Sequence, residues 1–88
     1  MAYKLQLNLE VDRQLSKMDP QLRKRIIMAL VRLEALPDPR STGHALTGPL
    51  AGFWTYRVAG DWRAICDIQD QLITISVLDI DHRSAIYR

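Results

Sequence analysis

At Glu10 the hydrophobic period of this chain changes, and that change constrains the fold more than any single residue. Before it, in "YKLQLNL" (3–9), Tyr3, Leu5, Leu7 and Leu9 alternate with Lys4, Gln6 and Asn8, the period-two signature of a half-buried strand. After it, Val11, Leu15, Met18 and Leu22 fall at helical spacing, interrupted at Asp19-Pro20. Asp19 suits a helix N-cap and Pro20 the first helical position, where no backbone N–H is needed. The second helix carries Leu22, Ile26, Ala29, Leu30, Leu33 and Leu36 on one face. Arg23, Lys24, Arg25, Arg32 and Glu34 lie mostly elsewhere, and Pro37-Asp38-Pro39 ends the helix. The pattern predicts an αα-hairpin of residues roughly 10–18 and 20–36.

Residues 40–52, "RSTGHALTGPLAG", read as a linker rich in Gly, Ser, Thr and Pro. Period two then returns, and strands are expected at 53–58, 61–68 and 71–79. Gly60 supplies a positive-φ turn position between the first two, and "QDQ" joins the second and third. The expectation is one α+β domain over residues 1–88: an N-terminal strand, a helical hairpin and a three-stranded antiparallel meander, with the helices on one face of a single sheet.

Alternation assigns the faces. Trp54, Tyr56 and Val58 point one way, with Trp62, Ala64, Cys66 and Ile68 on the same side, towards the helices. Phe53, Thr55 and Arg57, with Arg63, Ile65 and Asp67, take the open face. Arg57 and Arg63 then lie together on adjacent strands, which is unfavourable for like charges unless an anion joins them. Asp67 is the candidate within the chain and a phosphate the external one. Trp54 and Trp62 are expected in the core rather than as base-stacking platforms, and His44 as an ordinary loop residue.

Composition excludes several classes. No apolar run approaches the roughly 20 residues of a membrane span. The N-terminus lacks a charged region leading into a long apolar stretch, so no secretory leader is expected. The single cysteine, Cys66, sits in the apolar-rich "RAICDI" and reads as a small core residue of a protein in a reducing cytoplasm. Two histidines, one cysteine and scattered acids show no metal-ligand spacing, so neither a metal nor another cofactor is expected. A net charge of +2 argues only weakly for a nucleic-acid partner, but placement says more. After residue 40 the basic side chains are Arg57, Arg63, Arg83 and Arg88, without a lysine. The guanidinium fork matches phosphate geometry in a way the lysine ammonium does not.

Three stretches together resemble the RelE/ParE toxin superfamily, and within it the RelE-like branch. They are "ALTGPLAGFWTYRV" (45–58), "GDWRAICDI" (60–68) and "VLDIDHRSAIYR" (77–88). The family pattern is Leu-x-Gly, then Gly-x-Trp-x-x-Arg-Val, then Gly-Asp-aromatic-Arg, then His-Arg-x-x-x-Tyr near the C-terminus. The ordered set, rather than any one motif, carries the resemblance. It implies the toxin of a type II toxin–antitoxin system that enters the ribosomal A site, cleaves mRNA there and is neutralised by a cognate antitoxin in a hetero-oligomer. The ParE-like branch implies an alternative on the same fold, a non-catalytic inhibitor of DNA gyrase.

Arg57, Arg63, Arg83 and Tyr87 match the family's functional positions one by one. Thr55 stands where well-studied members carry a basic residue, and Asp81 where some carry an arginine. Metal-free RNA cleavage by 2′-OH attack needs positive charge at the phosphorane oxygens, which Arg57, Arg63 and Arg83 would supply. Tyr87 is a candidate for stacking on a base or for proton transfer, although a tyrosine with its ordinary pKa of about 10 is a poor base unless arginines lower it. His82 is the conventional acid–base candidate. Alternation also allows it to face away from Arg83 and Tyr87 as a hydrogen-bonding surface residue. Arg23, Lys24, Arg25 and Arg32 form either a solvated helix face or phosphate contacts to ribosomal RNA. Asp81 is placed to pair with Arg83 or Arg57. The antitoxin is expected to be an extended acidic segment lying on the basic sheet face and the groove beside the C-terminal stretch.

Overall fold

The computed structural model describes residues 3–82. The elements in chain order are β1 (Lys4–Leu7), α1 (Leu9–Ser16), α2 (Pro20–Glu34), β2 (His44–Ala45), β3 (Trp54–Ala59), β4 (Trp62–Gln69) and β5 (Thr74–His82). Asp19 caps α2, its carboxylate accepting from the N–H groups of Gln21 and Leu22, and Pro20 takes the first turn, as the sequence predicts. Asn8 caps α1 by accepting from the Val11 N–H at 2.7 Å.

The strands form one sheet in the order β1-β5-β4-β3-β2. β3, β4 and β5 are the expected antiparallel meander, and β1 joins its far side parallel to β5. The fifth strand, β2, lies inside the stretch read as a linker. Two residues carry no periodicity, so its pairing with β3 (His44 opposite Thr55, Ala45 opposite Trp54) has no sequence signal.

The core lies between the hairpin and one sheet face. Val11 and Leu15 of α1 and Ile26, Leu30 and Leu33 of α2 meet Tyr56, Val58, Ala64, Cys66, Ile75, Val77 and Ile80. Trp54, Trp62 and Ile68 are half-buried against it, on the face that alternation assigned. Burial pushes the Cys66 thiol up to about 12, so it packs as a small apolar group rather than as a thiolate nucleophile.

A bulge in β5 decides the far end of the sheet. Ile65 lies opposite Asp79 but Cys66 lies opposite Val77, which leaves Leu78 as an extra residue. The alternation phase flips there, so Ile75, Val77 and Ile80 all reach the core. Beyond Val77, β5 outruns β1, and α1 covers its bare edge. Asn8 Nδ2 donates to the Leu78 carbonyl at 3.0 Å, and the Ile80 N–H donates to Gln14 Oε1 at 3.2 Å. On the outer edge of β1, the Leu5 N–H donates to Glu34 Oε2 of α2 at 2.9 Å. Side chains from both helices thus occupy edge groups that would otherwise template strand addition.

A surface clamp ties the start of β1 to the β4–β5 turn and the loop after α2. The Asp70 carboxylate accepts two bonds from Arg40, at 2.9 and 3.0 Å, and a third from the Tyr3 hydroxyl at 2.6 Å. Hydrogen bonds from Arg40 and then Tyr3 hold the Asp70 pKa below its ordinary value. A carboxylate depressed in the folded state stabilises above its unfolded pKa and loses that contribution as pH falls through the folded one. Thermal melts of the protein and of Asp70→Asn should therefore differ at neutral pH and converge as pH drops below about 4, the ordinary carboxylate range. A constant difference across that window would show that the clamp does not depend on the carboxylate charge.

Candidate functional site

The open face of the sheet carries the expected arginine pair. Arg57 on β3 lies directly opposite Arg63 on β4, and Arg63 in turn lies opposite Asp81 on β5. Paired positions share a face, so the three form one row across the sheet. Arg57 is exposed, whereas Arg63 is only 9 % exposed. Its Nε is buried with no hydrogen-bond partner among the described residues, and so is the hydroxyl of neighbouring Thr55. An unmet donor on a buried guanidinium is costly, and a bound anion would relieve it.

Neither acid proposed from the sequence neutralises the pair. Asp67 lies opposite Ser76, four residues beyond Arg63 on β4 and therefore two pairs along the ladder. This corrects its expected place between the arginines: in a strand, a shared face does not bring such residues within contact distance. Asp81 has the right register, but its carboxylate accepts from the His82 backbone N–H at 2.9 Å. Among the described residues the ion pair present is Arg40–Asp70, remote from this row.

A cleft of about 350 Å³ opens beside the pair, lined by Thr42, Gly43, His44, Tyr56, Arg57 and Arg63. Its far wall is the segment leading into β2, and core-facing aromatics hold that segment in place. Trp54 Nε1 donates to the Thr42 carbonyl at 2.8 Å, and the Tyr56 hydroxyl donates to the Pro39 carbonyl at 2.6 Å. Burial raises the Tyr56 pKa, so its hydroxyl stays a donor. Gly43 adopts φ +76°, and a Cβ there would lie 2.6 Å from the Thr55 carbonyl oxygen and 2.7 Å from the Tyr56 ring. Only glycine lets the chain lie this close to β3.

The two histidines fall on opposite faces of the sheet. The β5 bulge puts His82 opposite Trp62, on the helix-facing side, where the rings meet edge to face with centroids 5.6 Å apart. His44, read from sequence as an ordinary loop residue, lies on the arginine face, because its partner Thr55 shares that face with Arg57. Arg83 and Tyr87 lie outside the described residues. Of the α2 cations, Arg25 and Arg32 line a second cleft of about 360 Å³ that also reaches Arg57, whereas Arg23 and Lys24 do not line it. Arg57 borders both clefts, so basic side chains run from α2 across the β3 edge to Arg63.

Comparison with known proteins agrees with this architecture. Residues 5–87 match the family model described as the ParE toxin of the type II toxin–antitoxin system parDE. Toxin RelG of Mycobacterium tuberculosis is 32% identical over 91 residues, covering 100% of this chain and 99% of that protein. The toxin–antitoxin complex RelBE2 of the same organism contains a chain similar to this one with a TM-score of 0.82 and 26% identity, covering 94% of this chain and 100% of that one. The archaeal RelE–RelB complex of Pyrococcus horikoshii shares the fold, with a TM-score of 0.71 at 24% identity over 94% of this chain and 97% of that one. Both the sequence match and the shared fold run through nearly the whole chain, which therefore belongs to the ParE toxin family of type II toxin–antitoxin systems, within the RelE/ParE superfamily.

Proposed function

We propose that this toxin is a ribosome-dependent endoribonuclease that cleaves mRNA in the A site by attack of a ribose 2′-OH on the adjacent phosphate. The observation that supports this best is the cross-strand Arg57–Arg63 pair, two like charges held face to face with, among the described residues, no carboxylate between them and one donor unmet. A sheet tolerates such a pair at some cost, and a phosphate bridging both arginines removes it. As charge builds on the phosphorane oxygens, two guanidinium forks already in place stabilise it without reorganisation. Arg25 and Arg32 supply sequence-independent phosphate contacts along the path to the cleft. In this reading Arg83 and Tyr87 complete the site.

A cognate antitoxin is the expected partner, in keeping with the RelBE2 and RelE–RelB complexes. The outward face of α2 suits such a partner: Ile27, Met28 and Val31 are 41%, 48% and 54% exposed, and Arg25 and Arg32 share the helix. An extended segment with apolar anchors and acidic side chains would match both features.

One observation favours a second reading. The matching family model is that of the ParE toxins, and resemblance to the ParE-like branch implies non-catalytic inhibition of DNA gyrase. Pulse labelling after induction separates the two. The nuclease reading expects amino-acid incorporation to collapse before thymidine incorporation, with mRNA cut on programmed ribosomes in vitro. Early loss of thymidine incorporation with intact mRNA would establish the gyrase reading instead.

A further inference from the structure

Cleavage by 2′-OH attack needs a group that accepts the hydroxyl proton, and a guanidinium, charged at every physiological pH, does not serve. Among the described residues that line the cleft, the other titratable groups are Tyr56 and His44. The Tyr56 hydroxyl is committed to the Pro39 carbonyl and kept protonated by burial. His44 is exposed, stands on the cleft wall, and makes no side-chain hydrogen bond among the described residues. Two parallel rows cross this face. One runs from Arg57 through Arg63 to Asp81, and the other from His44 through Thr55 and Ile65 to Asp79. His44 and Arg57 are diagonal neighbours, whose backbones lie roughly 7–8 Å apart. Both side chains line the same cleft.

Resting on the nuclease reading above, we propose that His44 is the general base of this site. An unprotonated imidazole nitrogen takes the 2′-OH proton as the 2′ oxygen forms its bond to phosphorus. The bond from phosphorus to the 5′ oxygen breaks, and that oxygen is protonated by water. The products are a 2′,3′-cyclic phosphate and a 5′-hydroxyl end, and the imidazolium then returns its proton to solvent. The groups on the His44 face are Thr55 and Arg57 from β3 and Arg63 from β4, with Tyr56 also lining the cleft, while Asp79 at the end of its row is held by Gln14 Nε2 at 2.8 Å. Among the described residues, no carboxylate lines the cleft.

The test is single-turnover cleavage on mRNA-programmed ribosomes by the unaltered chain, His44→Gln and His44→Ala, from about pH 5 to 8. The unaltered rate should rise with pH across this range, as a base that must lose its proton to act requires. Both variants should be slower by about 10²-fold or more and lack the rising limb, and added imidazole should restore part of the rate to His44→Ala. Thermal melts check that the variants fold, as expected at an exposed position. An unchanged rate in the variants, or a slower rate with the same rising limb and no rescue, would overturn the role of His44 and leave the nuclease reading standing. Absence of cleavage by the unaltered chain would overturn both.

Discussion

Replacing Arg63 by methionine should lower mRNA cleavage on programmed ribosomes by about 10²-fold or more, equivalent to roughly 3 kcal/mol of transition-state stabilisation. Methionine retains much of the apolar stem in this buried position and removes only the fork, so the fold should persist. Arg63→Lys separates charge from geometry. If the fork matters, lysine recovers only part of the rate, because a point charge does not reach two phosphate oxygens at once. Arg57→Gln should move activity and stability in opposite directions. It lowers cleavage while raising stability by up to about 1 kcal/mol, since it removes a like charge directly opposite Arg63. Urea denaturation of Arg57→Gln beside its cleavage rate is the check; a destabilised variant would mean that the two arginines already share an anion in the free protein.

Gly43→Ala should cost about 3 kcal/mol or more, among the largest effects of any single methyl in this protein. Two causes add. The left-handed backbone at φ +76° costs an alanine about 1–2 kcal/mol. The new Cβ also meets the Thr55 carbonyl oxygen at 2.6 Å, and that backbone oxygen yields only if β2 moves away from β3. Gly60→Ala isolates the first cause: φ is +53°, but nothing lies within 4 Å of a Cβ there. Urea melts should therefore rank Gly43→Ala well below Gly60→Ala. Equal losses would show that β2 lifts from the sheet with little penalty. Because Thr42 and His44 flank Gly43, cleavage should fall in Gly43→Ala beyond what the unfolded fraction accounts for.

The helical hairpin, the meander and the shared face of Arg57 and Arg63 were legible in the sequence, because each depends on periodicity or on a local cap. Helix α2 starts at Pro20, where Asp19-Pro20 said it would, and ends at Glu34, just short of the Pro37–Pro39 break. Side-chain alternation alone put the two arginines together, and their register is direct. The β4–β5 turn was less legible. It closes on Ile73 at φ +47°, a conformation that a β-branched residue rarely adopts and that no turn signal announced.

The sequence by itself thus determined which residues face the helices, which carry positive charge, and the order of the elements, since these follow from the spacing of neighbours along the chain. The tertiary structure decided which histidine shares a sheet face with Arg57 and Arg63. One extra residue in β5, Leu78, flips the alternation so that Ile80 fills the core, Asp81 lies opposite Arg63, and His82 turns to Trp62. A two-residue pairing that depends on Gly43 lying against Tyr56 brings His44 to the other side of the same cleft. Both are matters of strand register, and register is set by the fit of side chains between strands distant in sequence rather than by any local pattern.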